Sequence, residues 1–330
     1  MQISLPEQQA GGKTAKNQIG IPEIPKRMNA VRLHQAAGSA GLVYEQVETP
    51  EPREGEVLVR VHAAAITRDE LDWPVNRLPA IPSYEFSGVV VAIGTDVNNV
   101  KVGEPVYALS AFGRDGAAAD YMVISKEFLA SKPKTLDHIK SASIPLAALT
   151  AWQGLFEHGQ LIKGQRVLIH GATGGVGNFA VQLARQHGAY VIGTVSTMNI
   201  AAARQLGMDE VIDHSTTRFE EVVGQVDLVF DTVGGDRLAR SPFVVRAGGR
   251  LVSVASEPSQ EQAAAHNIKA IYFVVTPNGK QLVELAKLVD SGLLQPAIDK
   301  VFALANAREA FERSLTSHPA GKIVICIADK

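Results

Sequence analysis

With 330 residues, the chain is longer than one hydrophobic core usually supports, and its 46% hydrophobic and 20% charged residues indicate a globular protein of two domains. The formal net charge of -2 lacks the basic excess that nucleic acid or an anionic membrane attracts, so we expect neither partner. The single cysteine, Cys326, excludes an intrachain disulfide and a multi-cysteine metal site. It favours a reducing compartment, which we expect to be the cytoplasm.

Residues 1–27 are rich in Gln, Gly, Lys and Pro and lack the apolar core of a secretory signal, so they are predicted to be a flexible extension. Short strands separated by turn residues follow. The segment "EVLVRVHAAAI", from Glu56 to Ile66, alternates with the period of two that is typical of a half-buried strand. "EFSGVVVAIG", "EPVYAL" and "AADYMVI" continue the series, so this part is predicted to be all β.

After Pro145 the pattern changes to strands that alternate with helices. "RVLIH", residues 166–170, is predicted to be a buried strand and residues 178–186 a helix. The apolar segments "YVIGT", "EVID", "VDLVFD", "GRLVSVA" and "AIYFVV" follow at the spacing of crossover connections, which predicts a parallel doubly wound sheet. Residues 280–290 are predicted to be a linking helix, and the final "GKIVICI" is predicted to return to the β part.

A glycine-rich turn, "HGATGGVGNF", follows the strand that ends at His170. Gly174, Gly175 and Gly177 fit the frame G-x-G-x-x-G, with Ala172 in place of the first glycine. A strand before this frame and a helix after it indicate dinucleotide binding, in which backbone amides approach a pyrophosphate at the helix N-terminus. The alternative is a tight turn in a sheet without a ligand.

The end of the next strand predicts which dinucleotide binds. NAD sites normally carry an acidic residue about 20 positions after the glycine loop. Here "GTVSTMN" offers Ser196, Thr197 and Asn199, Arg204 follows one helical turn later, and no carboxylate occurs in 183–208. Hydroxyls and a guanidinium suit a 2′-phosphate, so NADP(H) is predicted, although Arg204 could instead lie on a solvated helix face.

These motifs resemble those of the medium-chain dehydrogenase/reductase superfamily, specifically its zinc-independent quinone oxidoreductase-like branch. The resemblance covers about residues 28–327 and rests on "GEVLVRVHAAAI", "GVVVAIG", "VKVGEPVYAL", "PLAALTAWQGL", "GQRVLIHGATGGVGNFAVQLA", "DEVIDH", "VDLVFDTVGG", "GGRLVSV" and "GKIVI" in this order. It implies an α/β plus β fold: a GroES-like β-barrel catalytic domain at 28–146 and a Rossmann NADP-binding domain with a doubly wound parallel sheet at 147–282. Residues 283–330 then complete the catalytic domain, and the active site lies in the cleft between the two domains.

The zinc-dependent alcohol dehydrogenases of this superfamily carry zinc ligands at positions that match Thr67, Tyr84 and Leu146 here. None of these three side chains is a zinc ligand of the usual kind, so the resemblance implies a metal-free site and an acceptor that is already electrophilic. Tyr84 is the predicted hydrogen-bond donor to the reduced acceptor, and packing inside the barrel is the alternative. Thr67, where many relatives have asparagine, is predicted to help place nicotinamide and substrate. Trp73 is either a stacking wall for a flat substrate or part of the core.

The resemblance implies further cofactor contacts on the segment that enters the Rossmann domain, at strand ends and on the final strand. Taken together, the predicted cofactor contacts are Thr150, Ala172, Thr173, Gly174, Gly175, Val176, Gly177, Gly193, Thr194, Ser196, Arg204, Thr232, Val233, Val254, Ala255, Phe273, Val274, Val275 and Lys322. His170 has no serine, cysteine or carboxylate at matching positions and is interpreted as a strand-end residue with local hydrogen bonds.

The sequence as a whole is interpreted as a metal-free, NADPH-dependent reductase of quinones or α,β-unsaturated carbonyls. The resemblance implies a homodimer in which "AIYFVV" pairs with the same strand of a second copy. An enoyl-thioester or polyketide-tailoring reductase is the alternative among enzymes. An NADPH-binding protein with a structural or redox-sensing role and little turnover is the alternative of another class. The physiological acceptor and one-electron against two-electron reduction stay open.

Overall fold

The computed structural model describes residues 23–73, 77–316 and 321–328. The predicted flexible extension lies outside the described residues except for 23–27, which lead into the first strand. Within these ranges, no helix combines the length and the apolar character needed to span a bilayer.

The strands and helices follow one another as two kinds of structure, first β and then alternating. The strands are β1 (Arg27–Leu33), β2 (Leu42–Glu48), β3 (Glu56–Ile66), β4 (Glu85–Ile93), β5 (Pro105–Leu109), β6 (Tyr121–Ser125), β7 (Leu129–Ser131), β8 (Arg166–His170), β9 (Tyr190–Val195), β10 (Glu210–Asp213), β11 (Val226–Asp231), β12 (Val245–Ser253), β13 (Lys269–Tyr272), β14 (Ile298–Ala303) and β15 (Lys322–Cys326). The helices are α1 (His138–Ala142), α2 (Pro145–Trp152), α3 (Gly175–Gln186), α4 (Ile200–Gln205), α5 (Phe219–Val222), α6 (Gly235–Arg240), α7 (Gln260–Ala265), α8 (Gly279–Asp290) and α9 (Ala307–Thr316).

The β part is built around β3, which covers the segment predicted from its alternation. One edge of β3 pairs with β4, and the other edge is shared by β6 and β15, all antiparallel. The full order is β14-β15-β3-β4-β5-β7, so the C-terminal end of the chain returns to this sheet. Val57, Val59 and Val61 are fully buried whereas Arg60 and His62 are half-buried, because successive side chains of a strand point to opposite faces.

The second part is the parallel sheet that the sequence predicts. Its six strands run in the order β10-β9-β8-β11-β12-β13, and every neighbouring pair is parallel. The order reverses between β8 and β11, and sheets of this type bind ligands beyond the carboxyl ends of the strands at such a switch point. The helix predicted over 178–186 begins earlier, at Gly175, so it starts inside the glycine-rich turn.

Two helices join the β part to the parallel sheet. The predicted domain divisions at 146/147 and 282/283 fall inside α2 and α8. Tyr107 on β5 donates its hydroxyl to the carbonyl of Leu282 on α8, with an oxygen–oxygen distance of 2.6 Å. One apolar core runs from Val57 of β3 to Val167 of β8, so the two parts are packed on each other without a polar break.

His170 ends β8 and is fully buried. Its Nδ1 lies 3.0 Å from the hydroxyl oxygen of Thr194, and its Nε2 lies 3.1 Å from that of Ser241. Burial, followed by the positive charges of Arg237 and Arg240, lowers the pKa of His170 to about 3. The interpretation of His170 as a locally hydrogen-bonded strand-end residue is confirmed.

We expect the neutral imidazole of His170 to make the folded protein acid-sensitive. The unfolded chain binds a proton at His170 below pH 6.5 whereas the folded chain does so only near pH 3, so this contribution to stability is complete above pH 6.5 and falls with pH. When the pH falls from 7.5 to 5.0, the unfolding free energy measured by urea titration should decrease in both proteins. The decrease should be about 2 kcal/mol smaller in His170→Asn than in the wild type. The control His187→Asn, at an exposed histidine, should behave like the wild type; an equal loss in His170→Asn would contradict the assignment.

Candidate active site

Backbone groups approach one another closely in the turn after β8, because its glycines carry no side chain. A Cβ atom at Gly177 would lie 2.1 Å from the carbonyl oxygen of Gly171. The N-cap of α3, Gly174, provides no side-chain hydrogen bond, so the first N–H groups of this 12-residue helix are left without a side-chain cap. Uncapped amides at the positive end of a helix dipole fit a pyrophosphate.

The ends of β11 and β12 lie beside this turn. A Cβ atom at Gly171 would lie 2.7 Å from the hydroxyl oxygen of Thr232 and 2.8 Å from Val233. One at Gly234 would lie 3.2 Å from the side chain of Ala255. The predicted cofactor contacts that gather at this edge of the sheet are Ala172, Thr173, Gly174, Gly175, Val176, Gly177, Thr232, Val233, Val254 and Ala255.

The residues predicted at the end of β9 divide into two groups. The hydroxyl oxygen of Ser196 is buried and has no hydrogen-bond partner among the described residues, which fits a polar group of an adenosine ribose. Thr194 is fully buried with its hydroxyl on His170, and Gly193 packs beneath Ala172. Gly193 and Thr194 therefore support the strand from inside, and Ser196 is the one of the three that presents a free polar atom.

A carboxylate also stands at the end of β9, although none occurs in that segment of the sequence. β10 pairs in parallel with β9 so that Asp213 lies opposite Val195, and Asp213 accepts the hydroxyl of Thr197 at 2.6 Å. This hydrogen bond is the main cause that lowers the pKa of Asp213 and keeps it ionised. The segment 183–208 has no carboxylate, so this one comes from the next strand, β10. Arg204 is exposed on α4, so both signs of charge occur in this region.

The residues predicted near the nicotinamide lie on α2 and just after β13. Thr150 is buried and donates its hydroxyl to the carbonyl of Leu146 at 2.6 Å. Phe273 and Val275 are buried, and the ring of Phe273 lies 4.3 Å from that of His158. Val274 between them is exposed. Phe273 and Val275 thus line the interior, and Val274 faces solvent.

Lys322, the first residue of β15, forms a buried ion pair. Its Nζ lies 2.6 Å from Oε1 of Glu85 and donates a hydrogen bond to Oγ1 of Thr67 at 3.1 Å. The Lys322 side chain is 6% exposed and that of Glu85 1%. The second oxygen of Glu85 accepts the backbone N–H of Leu146 on α2 at 2.9 Å. A Cβ atom at Gly175 would lie 3.0 Å from Cδ of Lys322, so the lysine stem passes directly over the phosphate-binding turn.

Glu70 connects the segments that carry Thr67 and Tyr84. Its two carboxyl oxygens accept the backbone N–H groups of Thr67 and Ser83, at 3.0 and 3.1 Å. Ser83 has a φ of 68°, in the left-handed region that non-glycine residues rarely adopt, and the hydrogen bond that its N–H donates to Glu70 stabilises it there. Burial raises the pKa of Glu70 to about 8 despite the opposing charge of Lys322, so the group is mostly protonated at neutral pH.

Tyr84 lies in a cluster of aromatic rings. Its ring centroid is 5.7 Å from that of Trp73 and 5.3 Å from that of Phe112, and Trp73 and Phe112 meet edge to face at 4.9 Å. The Tyr84 hydroxyl is buried and has no hydrogen-bond partner among the described residues. Burial, followed by the charge of Glu70, raises its pKa to about 12, so the hydroxyl keeps its proton and can act only as a donor or a neutral acceptor.

Comparison with known proteins gives the family. Residues 53–134 match the family model described as alcohol dehydrogenase GroES-like domain, and residues 206–325 match the one described as zinc-binding dehydrogenase. The chloroplastic NADPH-dependent alkenal/one oxidoreductase of Arabidopsis thaliana is 32% identical over 98% of this chain and 86% of its own length. This chain belongs to the medium-chain dehydrogenase/reductase superfamily.

Further similarities place the chain in the quinone oxidoreductase-like branch of that superfamily. The chloroplastic quinone oxidoreductase QR1 of Triphysaria versicolor is 32% identical over 91% of this chain and 98% of its own length. The solved structure of the quinone oxidoreductase from Coxiella burnetii superposes with a TM-score of 0.87 and 33% identity, covering 92% of this chain and all of the other. The predicted family and the α/β plus β fold are confirmed, and the chain is an oxidoreductase whose Rossmann part binds a nicotinamide cofactor.

The positions that hold zinc ligands in the zinc-dependent members of the superfamily meet around Glu85. Thr67 is bound by the lysine that pairs with Glu85, Tyr84 precedes Glu85 in the chain, and Leu146 donates its N–H to the carboxylate. A secondary alcohol, a phenol and an isobutyl group are not a zinc donor set. In 23–73, 77–316 and 321–328, no cluster of three or more His, Cys, Asp or Glu side chains is arranged to hold a metal ion.

Three acidic residues of the site were missed by sequence reasoning. Glu70 carries a recognisable signal, because Thr67 and Glu70 have the spacing of a capping box, in which a glutamate accepts the N–H of the residue three positions earlier. Glu85 and Asp213 carry no such local signal, since their partners Lys322 and Thr197 lie on other elements of the fold.

Proposed function

We propose that this oxidoreductase transfers hydride from NADPH to quinones or α,β-unsaturated carbonyl compounds without a metal ion. The observation that carries the proposal is that Lys322 donates to the hydroxyl of Thr67 beside the phosphate-binding turn. Glu70 binds the backbone N–H groups of Thr67 and of Ser83, the residue before Tyr84. The names of the alkenal/one and quinone oxidoreductase relatives point to the same two classes of acceptor.

The residues of the parallel sheet fit a bound dinucleotide. The uncapped start of α3 would hold the pyrophosphate, and Ser196 the adenosine ribose. When bound, the reduced nicotinamide supplies a hydride to an electrophilic carbon. Lys322, whose stem lies over Gly175, is also placed to face the phosphates from the side of the β part.

The protein's own contribution is to position the acceptor and to stabilise charge. Hydride addition to an enone or a quinone leaves negative charge on oxygen, which donors held in place before the reaction stabilise strongly. Thr67 and Tyr84 are such donors. Trp73, which is 37% exposed, and Phe112 offer an apolar edge against which a flat acceptor can lie, and their rings keep water from the hydroxyl of Tyr84.

We expect NADPH oxidation, followed at 340 nm, with at least one class in a matched panel of quinones and α,β-unsaturated ketones. Tyr84→Phe should lower kcat for the enones about 100-fold, because one donor to the oxyanion is lost, with little change in KM. Quinones are stronger electrophiles, so their reduction should depend less on this hydroxyl.

The matched control is Tyr121→Phe, at another buried tyrosine of the β part, which should retain wild-type kcat. Enone turnover that is unchanged in Tyr84→Phe would remove Tyr84 from the mechanism. Tight NADPH binding with no acceptor-dependent oxidation across the panel would contradict the proposed activity, and it would favour an NADPH-binding protein with a structural or redox-sensing role.

The preference for NADPH over NADH is also proposed. Arg204 and the hydroxyl of Ser196 support a 2′-phosphate, and the Arabidopsis relative is named as NADPH-dependent. Asp213 opposes it, although its charge is shared with the hydroxyl of Thr197 and the N–H of Ser215. We infer that the positive and neutral groups outweigh this carboxylate.

Asp213→Asn should therefore strengthen the preference for NADPH. Removal of one negative charge near the 2′-phosphate should lower KM for NADPH about fivefold, which corresponds to about 1 kcal/mol, and leave KM for NADH nearly unchanged. Asp236→Asn, at an exposed aspartate on α6, is the control. A wild-type enzyme that oxidises NADH as efficiently as NADPH would refute the cofactor assignment.

We also propose a homodimer joined through β13. This strand is the edge of the parallel sheet and pairs only with β12 among the described residues, and Tyr272 and Val274 are exposed beside it. An open, apolar edge is a site of strand pairing. Sedimentation equilibrium at micromolar concentration should give twice the mass of one chain, and Tyr272→Lys should shift the protein towards monomer. A wild-type monomer under these conditions would contradict the dimer.

A further inference from the structure

The ammonium of Lys322 has a second partner, Thr67, besides Glu85. The ammonium donates to the hydroxyl oxygen of Thr67 as well as facing the carboxylate, and the side chains of both charged residues are nearly inaccessible to solvent. A buried charge with so little access to water acts on its neighbours with little screening.

The hydroxyl of Thr67 carries one proton, which it can donate to one acceptor. Its oxygen accepts from Lys322, so its own proton is available for a second hydrogen bond. A hydroxyl that accepts from a cation becomes a stronger donor, because hydrogen bonds in a chain polarise one another. Thr67 is half-buried, so the residue is not sealed inside the core.

Contacts along Lys322 and around Glu85 position the ammonium. The backbone N–H of Lys322 donates to the carbonyl of Ala297 at 2.8 Å, and its stem occupies the space that a side chain at position 175 would need. Glu85 is in turn held by the N–H of Leu146. These contacts and the ion pair with Glu85 favour the position of the ammonium beside Thr67.

We propose that Lys322 is a positioning residue that polarises the hydroxyl of Thr67, so that Thr67 stabilises and protonates the oxygen of the acceptor as hydride arrives. This inference rests on the proposed function and deepens it. The hydride adds to carbon, and the displaced electron pair moves to the acceptor oxygen. The proton of Thr67 bonds to that oxygen while a proton of Lys322 replaces it on Thr67. Lys322 then regains a proton from water, so hydride and proton together account for a two-electron reduction.

A double-mutant cycle tests whether Lys322 acts through Thr67. Thr67→Val removes the hydroxyl at nearly constant volume. Lys322→Met is combined with Glu85→Gln, so that no unpaired carboxylate is left buried. Thr67→Val by itself should lower kcat about 100-fold at saturating NADPH, and so should Lys322→Met together with Glu85→Gln. The acceptor KM should change less than about threefold in both cases. When Thr67→Val is already present, adding Lys322→Met with Glu85→Gln should lower kcat by a further factor of less than about three.

Two readouts separate this role from a structural one. Lys322→Arg, which keeps the charge, should recover at least part of the kcat lost in the methionine variant. The NADPH dissociation constant from fluorescence titration should stay within about twofold in Thr67→Val. The control is Lys132→Met, at a partly buried lysine elsewhere in the β part, which should keep wild-type kcat in both backgrounds.

Additive losses in the cycle, or a Thr67→Val enzyme with wild-type kcat, would overturn the role of Lys322. Either result, obtained beside a wild type that reduces quinones or enones, rejects this inference alone and leaves the proposed function standing.

Discussion

The buried ion pair between Lys322 and Glu85 is the contact on which the architecture of the site depends. Burying two charges costs several kcal/mol for each ion unless the pair is close and its remaining hydrogen-bonding groups are satisfied. Here the ammonium also donates a hydrogen bond to the hydroxyl of Thr67, and the carboxylate also accepts one from the backbone N–H of Leu146. One pair thereby joins the last strand of the β part, a strand from its middle, the helix that enters the parallel sheet and, through Gly175, the phosphate-binding turn.

This arrangement explains how two structural parts that share one apolar core form a single site. The parallel sheet presents its strand ends and the uncapped start of α3, which suit a dinucleotide. The β part presents the segments that carry Thr67 and Tyr84, which Glu70 connects. Lys322, the first residue of β15, contacts the hydroxyl of Thr67 and lies next to the turn at Gly175. The position of this hydroxyl therefore depends on the residue that lies where the cofactor's phosphates would bind.

Features that depend on local patterns could be predicted from the sequence, and features that depend on long-range pairing could not. The alternation along β3, the apolar run of β8 and the glycine-rich turn after it are local, so β3 and β8 appear where the sequence indicates them and α3 begins three residues early, at Gly175. The contact between Thr67 and Lys322 spans 255 positions, and Asp213 reaches Thr197 only because two strands pair in parallel. A motif predicts that Thr67 and Lys322 lie near the cleft, but no motif predicts that they touch.

The most direct test of this account is a crystal structure of the complex with NADPH, with the distances from Nζ of Lys322 measured at high resolution. We expect Nζ to stay within hydrogen-bond distance of both Glu85 and the Thr67 hydroxyl while NADPH lies over the turn at Gly175. A lysine that has turned away from Thr67 to bind only the phosphates would contradict it.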